Sequence, residues 1–193
     1  MILTGHENDL LKGLLRDYPD AIDALAKSGH IKGQLKLYQA AALYALARRY
    51  DKGNILEIGT LVGYSSSLIA QAAPNGTITT LNPTTHEAKE ARKNLVQYGN
   101  VTVIEQKSWD YLNEYTGPLL DMIFVDGDHV RVEKDLPWWS WLKRGGLMLF
   151  HDYTEHCSPH VCRAVDGMSE ILGKGPDVLL IDTDDVGMAG FIK

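Results

Sequence analysis

Cysteine is scarce. Two in 193 residues do not make a disulfide framework, so the fold has to hold by packing. No apolar run approaches the roughly 20 residues that cross a bilayer as a helix, so no partner membrane is expected. The opening stretch MILTGHENDLLKGLL lacks the basic flank, apolar segment and small-residue cleavage site of a signal peptide, and a cytoplasmic product is expected. Basic residues are outnumbered, 19 Lys and Arg against 25 Asp and Glu, for a formal charge of −6. With no basic stripe interleaved with aromatics, nucleic acid is disfavoured as a partner. Internal repeats and low-complexity segments are also absent.

What is present is the composition of a soluble globular protein, 45% hydrophobic and 23% charged, at a length that suits one domain over residues 1–193. Residues 1–50 read as N-terminal helices, with apolar spacing over Asn8 to Leu15 and over Gln34 to Arg49. Asp51, Lys52 and Gly53 break that pattern. A core over residues 54–193 then alternates β-rich and helical runs, as βαβ units of a parallel sheet do. Strands are predicted at Asn54 to Ile58, Thr77 to Leu81, Val101 to Glu105, Met122 to Val125 and Leu147 to Phe150. Helices are predicted at Ser65 to Ala73, Thr85 to Tyr98 and Val132 to Leu142, with another starting after Pro159. Two final runs, Val178 to Asp182 and Met188 to Ile192, read as a hairpin around Gly187, where a wholly parallel sheet would have a helix between them. The fold class is therefore α/β: a Rossmann-like, doubly wound, seven-stranded sheet, mostly parallel with an antiparallel C-terminal strand.

The segment NILEIGTLVGYSSSLIA is a strand, a glycine turn and a helix opening on hydroxyl residues. Such a place binds ligands because the strand's carboxyl end and the helix's free N–H groups face a crevice. Gly59 allows the tight turn, Gly63 lets backbone approach a ligand, and Ser65 and Ser66 can donate to a carboxylate. The same residues also suit an ordinary strand-to-helix turn with capping serines. The spacing does not make the G-x-G-x-x-G of dinucleotide binders.

LEIGTLVGYSS does resemble the first motif of the catechol and caffeoyl-CoA O-methyltransferases, class I enzymes that use S-adenosylmethionine, and the resemblance runs in order over roughly residues 30 to 193. It implies that Glu57, Gly59, Thr60, Gly63, Tyr64 and Ser65 surround the methionine end of that cofactor. Lys32-Gly33-Gln34 is similar to a stretch ahead of the core helix in those enzymes. VTVIEQKSWDYL resembles their third strand and adenine-binding turn, which brings Ser108 and Trp109 to the base, although Trp109 also reads as a half-buried surface residue. The pattern departs at Thr80, where the family has an acidic residue gripping both ribose hydroxyls. A single hydroxyl forgoes charge-assisted bonds of about 1–3 kcal/mol. Asn82 is the expected compensation, and the departure leaves open a weaker cofactor site, a different nucleotide or a noncatalytic chain.

MIFVDGDHV and LMLFHDY place acids and imidazoles just past the carboxyl ends of two strands, where an open α/β sheet keeps its chemistry. Asp126 and Asp152, with His151, could share Mg²⁺ or another divalent cation, or could simply shape turns. The two segments resemble the branch that includes the cephalosporin-hydroxylase-like methyltransferases. By resemblance to the catechol enzymes, Asp126 and Asp152 match two magnesium ligands, Tyr153 replaces the third unless His151 or Asp128 substitutes, and His129 stands where a lysine base is expected. His129 and Asp126 are thus the candidate catalytic residues. His151, His156, Cys157, His160 and Cys162 crowd one span, yet their spacing fits no paired zinc knuckle, and a substrate loop is expected. The WWSW run at 138–141 reads as packing or as contacts of a homodimer. The leading reading is methyl transfer from S-adenosylmethionine to a hydroxyl of a small-molecule acceptor. Its rivals are a noncatalytic binding protein on the same fold and a metal-dependent hydroxylase or hydrolase.

Overall fold

The structure is a computed structural model that describes residues 1–33, 35–154, 158–182 and 187–193. Seven expected strands form where they were read: β2 (Asn54–Ile58), β3 (Thr77–Leu81), β4 (Val101–Ile104), β5 (Leu120–Val125), β6 (Leu142–His151), β7 (Val178–Asp182) and β8 (Met188–Ile192). An eighth, β1 (Ile2–Gly5), was read as part of the helical N-terminus. It is only four residues long and pairs parallel with β7 at the sheet edge, so nothing within its own span distinguishes it from a helix lead-in. The sheet order is β1-β7-β8-β6-β5-β2-β3-β4. β8 lies antiparallel between β6 and β7, and the other described pairs are parallel.

Both faces of the sheet are covered, which is why its central strands are apolar without interruption. Side chains alternate across the pleat. Met122 and Phe124 of β5 join one cluster with Leu147 and Leu149 of β6, while Ile123 and Val125 join the other with Met148 and Phe150. The first cluster is capped by α1 (Glu7–Asp17), α2 (Ala21–Ser28), α3 (Leu37–Ala47) and α4 (Tyr64–Ala72). From Tyr38 to Ala47 every residue of α3 is buried, as a helix apolar all round must be. α2 was missed, and Gln34, where the α3 prediction began, lies outside the described residues. The opposite face carries α7 (Pro159–Leu172), and α5 (Thr85–Asn94) and α6 (Ser108–Glu114) complete the helices.

The helix expected over Val132 to Leu142 is instead two 3-10 turns, His129–Lys134 and Leu136–Trp141. Pro137 has no N–H to give, so a continuous α-helix would lose a bond there; it sits instead at the start of the second turn, where that N–H is not needed, and Arg131 interrupts the first with a non-helical φ of −120°. The second turn is held by its tryptophans. Trp138 is fully buried, its ring 5.1 Å from Tyr115 and 6.0 Å from Tyr111, while Trp141 meets Tyr115 edge-on at 4.8 Å. The WWSW run is packing here.

Trp138→Ala should destabilise the protein by about 3–5 kcal/mol in urea titration followed by circular dichroism. Trp138→Phe should cost markedly less, because the indole N–H has no hydrogen-bond partner among the described residues and its removal leaves nothing unpaired. Equal losses for the two variants would contradict this packing account.

Candidate functional site

A cleft of about 320 Å³ opens along the carboxyl edge of β2, β3 and β5. Its geometry begins at Gly59, which has a φ of +105° and whose missing Cβ would overlap the carbonyl oxygen of Asp126. Only glycine lets the ends of β2 and β5 approach this closely. The turn is tied to β3 as well, since Gly59 N and Thr60 N donate to Leu81 O at 3.0 and 3.1 Å. Leu61, in the left-handed region at φ 47°, leads to Gly63 at φ 99°, the N-cap of α4. A Cβ on Gly63 would press on Leu95, so this glycine serves packing on α5's side.

Of the expected cofactor residues, Gly59, Thr60, Tyr64, Ser65, Asn82, Ser108, Trp109 and Asp126 line the cleft. Glu57, Gly63 and Thr80 do not. Glu57 is fully buried, and its carboxylate accepts from the Ser66 and Thr80 hydroxyls. Thr80, equally buried, also shares a 2.6 Å bond with Thr60. Burial pushes the Glu57 carboxyl up to about 7, against the hydroxyls that favour its charge, and Oε1 is left without a partner among the described residues. A glutamate at position 80 would therefore place a second carboxyl against this one.

Asn82 is also committed. Its amide donates to Leu61 O at 3.0 Å and to Glu87 at 3.2 Å, and its oxygen accepts from Thr84 N. Gly33, ahead of α3, rests on the Tyr64 ring so closely that a Cβ would overlap it, and with Lys32 and Leu35 it walls one side of the cleft. Trp109 lies beneath two ammonium groups, Lys134 at 4.8 Å and Lys107 at 5.6 Å from its ring. Ser108 donates to the buried Asp135, whose carboxyl is pushed up to about 7 chiefly by burial. Sequence reasoning passed over Glu87, Asp135 and Arg131, which also line the cleft. Glu87, one turn into a helix that begins just past a strand's carboxyl end, was the most findable.

Beyond Asp126 the cleft meets a cluster of four ionisable groups. His129 Nε2 lies 2.9 Å from Asp152 Oδ2 and 3.5 Å from Asp126 Oδ1. His151 Nδ1 lies 3.0 Å from Asp126 Oδ1 and 3.3 Å from Asp152 Oδ2, at 5% exposure. Asp152 holds a left-handed φ of 58°, unusual for a residue with a side chain. Asp126, His129 and Asp152 each offer a ligand atom, all within 4.8 Å of one another. This trio contains His129 where His151 was expected. Asp128 also lines the cleft, and its carboxylate caps the 3-10 turn by accepting from Val130 N. His156 and Cys157 lie outside the described residues, and His160 pairs with Arg163.

Residues 56–153 match the methyltransferase domain family. A catechol O-methyltransferase of Niastella koreensis is 34% identical over 158 residues, covering 78% of this chain and 68% of its own length. Among solved structures, the O-methyltransferase involved in tomaymycin synthesis from Streptomyces achromogenes, in complex with SAM, superposes with a TM-score of 0.68 at 21% identity. That match covers 91% of this chain and 88% of the other. The O-methyltransferase of Bacillus cereus in complex with SAH gives 0.66 at 19% identity, over 96% and 91%. At these identities the two structures attest the fold.

The four-group cluster sets a pH dependence. Hydrogen bonds to Asp126 and Asp152 raise His129 from 6.5 to about 10. Burial lowers His151, but the two carboxylates outweigh it and raise it to about 9. Asp126 and Asp152 resist burial through the same contacts and end below their usual range. Groups raised in the folded state stabilise fully below their unfolded value, and that share fades as pH rises through the folded one. The carboxylates' share is present above about 3.8 and fades as pH falls. In chelator-treated protein, the melting temperature should fall between pH 6.5 and 10, more for wild type than for His151→Asn. Parallel curves for the two proteins would contradict the cluster.

Proposed function

The chain belongs to the methyltransferase domain family, of the catechol O-methyltransferase kind, and we propose that it transfers a methyl group from S-adenosylmethionine to a hydroxyl of a small molecule. The observation that carries this is the continuity of one cleft from the glycine turn to the Asp126–His129 cluster, which puts a cofactor subsite and a proton-handling subsite side by side. The O-methyltransferase relative and the neighbours solved with SAM or SAH support the same reading. They do not favour the noncatalytic or hydrolase alternatives.

In this reading the methionine end lies along Gly59, Thr60, Tyr64 and Ser65. The N-terminus of α4 faces its carboxylate, and Asp126 its ammonium. Glu57 sits behind that wall and acts on the ligand only through the backbone it holds. Ser108 and Trp109 take the adenine end. Transfer is an in-line displacement: the acceptor oxygen bonds the methyl carbon as its bond to sulfur breaks, the sulfonium becomes a neutral thioether, and the hydroxyl proton leaves. Orientation supplies most of the rate.

His129 is the proposed acceptor of that proton. Between two carboxylates it is an imidazolium at neutral pH, because its pKa is raised to about 10, contrary to the near-neutral titration that an untuned imidazole would have. It becomes a base when Asp126 and Asp152 are engaged elsewhere. Two carboxylates and an imidazole converging within 4.8 Å are a donor set that fits a divalent cation. When bound, such a cation would be held by Asp126 and Asp152, which would leave His129 free to act as the base, and would supply Lewis-acid stabilisation of the acceptor's oxygen.

Isothermal titration with S-adenosylhomocysteine should show one site per chain. With methyl-labelled S-adenosylmethionine and a vicinal aromatic diol as first acceptor, His129→Ala should lower turnover by about two to four decades and leave that affinity unchanged. Absence of S-adenosylhomocysteine binding would overturn the proposal. Wild-type turnover in His129→Ala would overturn the role of His129.

A further inference from the structure

We propose that Glu87, held in place by Asn82, receives the two ribose hydroxyls of the adenosyl cofactor. This inference rests on the cofactor reading above. A nucleoside ribose presents two neighbouring hydroxyl donors, and a carboxylate is the side chain that accepts both in charge-assisted bonds. Thr80, at the end of β3, does not do this. It is buried, it does not line the cleft, and its hydroxyl is engaged with Glu57 and Thr60.

Glu87, in the first turn of α5, does line the cleft, as do the glycine-turn residues and Trp109. One oxygen accepts from Asn82 Nδ2 at 3.2 Å. The other has no hydrogen-bond partner, and the group no ion-pair partner, among the described residues. Asn82, only 4% exposed, fixes it from behind by bridging to Leu61 O in the glycine turn and to Thr84 N at the start of α5. The amide thereby ties the carboxylate's position to the turn that bounds the cofactor subsite. Asn82 is a positioning residue, since its amide is already committed on both sides.

A competing account makes Glu87 an acid that complements the N-terminus of α5. That role would change the melting temperature and leave unchanged the contribution of any particular ligand hydroxyl. The test is a cycle between protein and ligand. S-adenosylhomocysteine and its 2′-deoxy and 3′-deoxy analogues are titrated into wild type and Glu87→Gln, with melting temperatures recorded for both proteins. Glu87→Gln should weaken S-adenosylhomocysteine binding by about ten- to hundredfold. Removing a ribose hydroxyl should cost wild type about tenfold and the variant less than about threefold. Equal deoxy penalties in the two proteins, or unchanged affinity in Glu87→Gln, would overturn the assignment while leaving the cofactor reading intact. If wild type binds no S-adenosylhomocysteine, the cofactor reading itself falls.

Discussion

The buried carboxyl of Glu57 is the contact around which the cleft is organised. It joins three elements at one point, because the group itself belongs to β2, Ser66 to α4 and Thr80 to β3. Thr60, in the glycine turn, is tied to the same knot through Thr80. A carboxyl without water is tolerated only where donors surround it, and here those donors are hydroxyls supplied by the elements it must hold together. Rotation of α4 away from the sheet would leave the carboxyl short of a donor, so the helix N-terminus keeps its aim along the cleft. Thr80 is thereby a structural partner of Glu57, and the proposed ribose contact is assigned elsewhere in the cleft.

From this knot the two halves of the site follow by contact. Gly59 leaves the knot and abuts the backbone of Asp126, so the turn and the four-group cluster share one boundary. Asp126 faces the cleft on one side and the imidazoles on the other. Two carboxylates and two imidazoles within hydrogen-bond or ion-pair reach carry no net charge when all four are charged. That arrangement holds ionised acids at a half-buried strand end and stores a proton on His129 at neutral pH. The left-handed backbone of Asp152 is the conformational cost of bringing its carboxylate to this point.

Much of the sheet was legible because the central strands are apolar runs bounded by turns. The closing hairpin was legible because no helix-length segment separates its strands. β1 was not, since four residues at an edge carry too little pattern. The single helix expected over Val132 to Leu142 divides into two 3-10 turns, the second of which starts around Pro137, whose missing N–H does not suit a helix interior. The glycine turn, Asp126, His129 and Asp152 could be found because strand ends mark where the chemistry lies. Orientation was harder. Strand alternation puts Glu57 with Ile55, and Thr80 with Ile78, on the face that α4 covers, so both side chains point into the fold and not toward a ligand. The raised pKa of His129 was invisible for a different reason. It depends on two carboxylates, one of them a full strand away in the chain, arriving at the same imidazole.

Hydrogen–deuterium exchange with and without S-adenosylhomocysteine tests the central claim, that one cleft built on the glycine turn holds the adenosyl cofactor. The account predicts slower exchange in three separate segments, 59–66, 81–88 and 106–110, with β1, α1 and α7 unchanged. Protection confined to other elements, or none at saturating ligand, would contradict it.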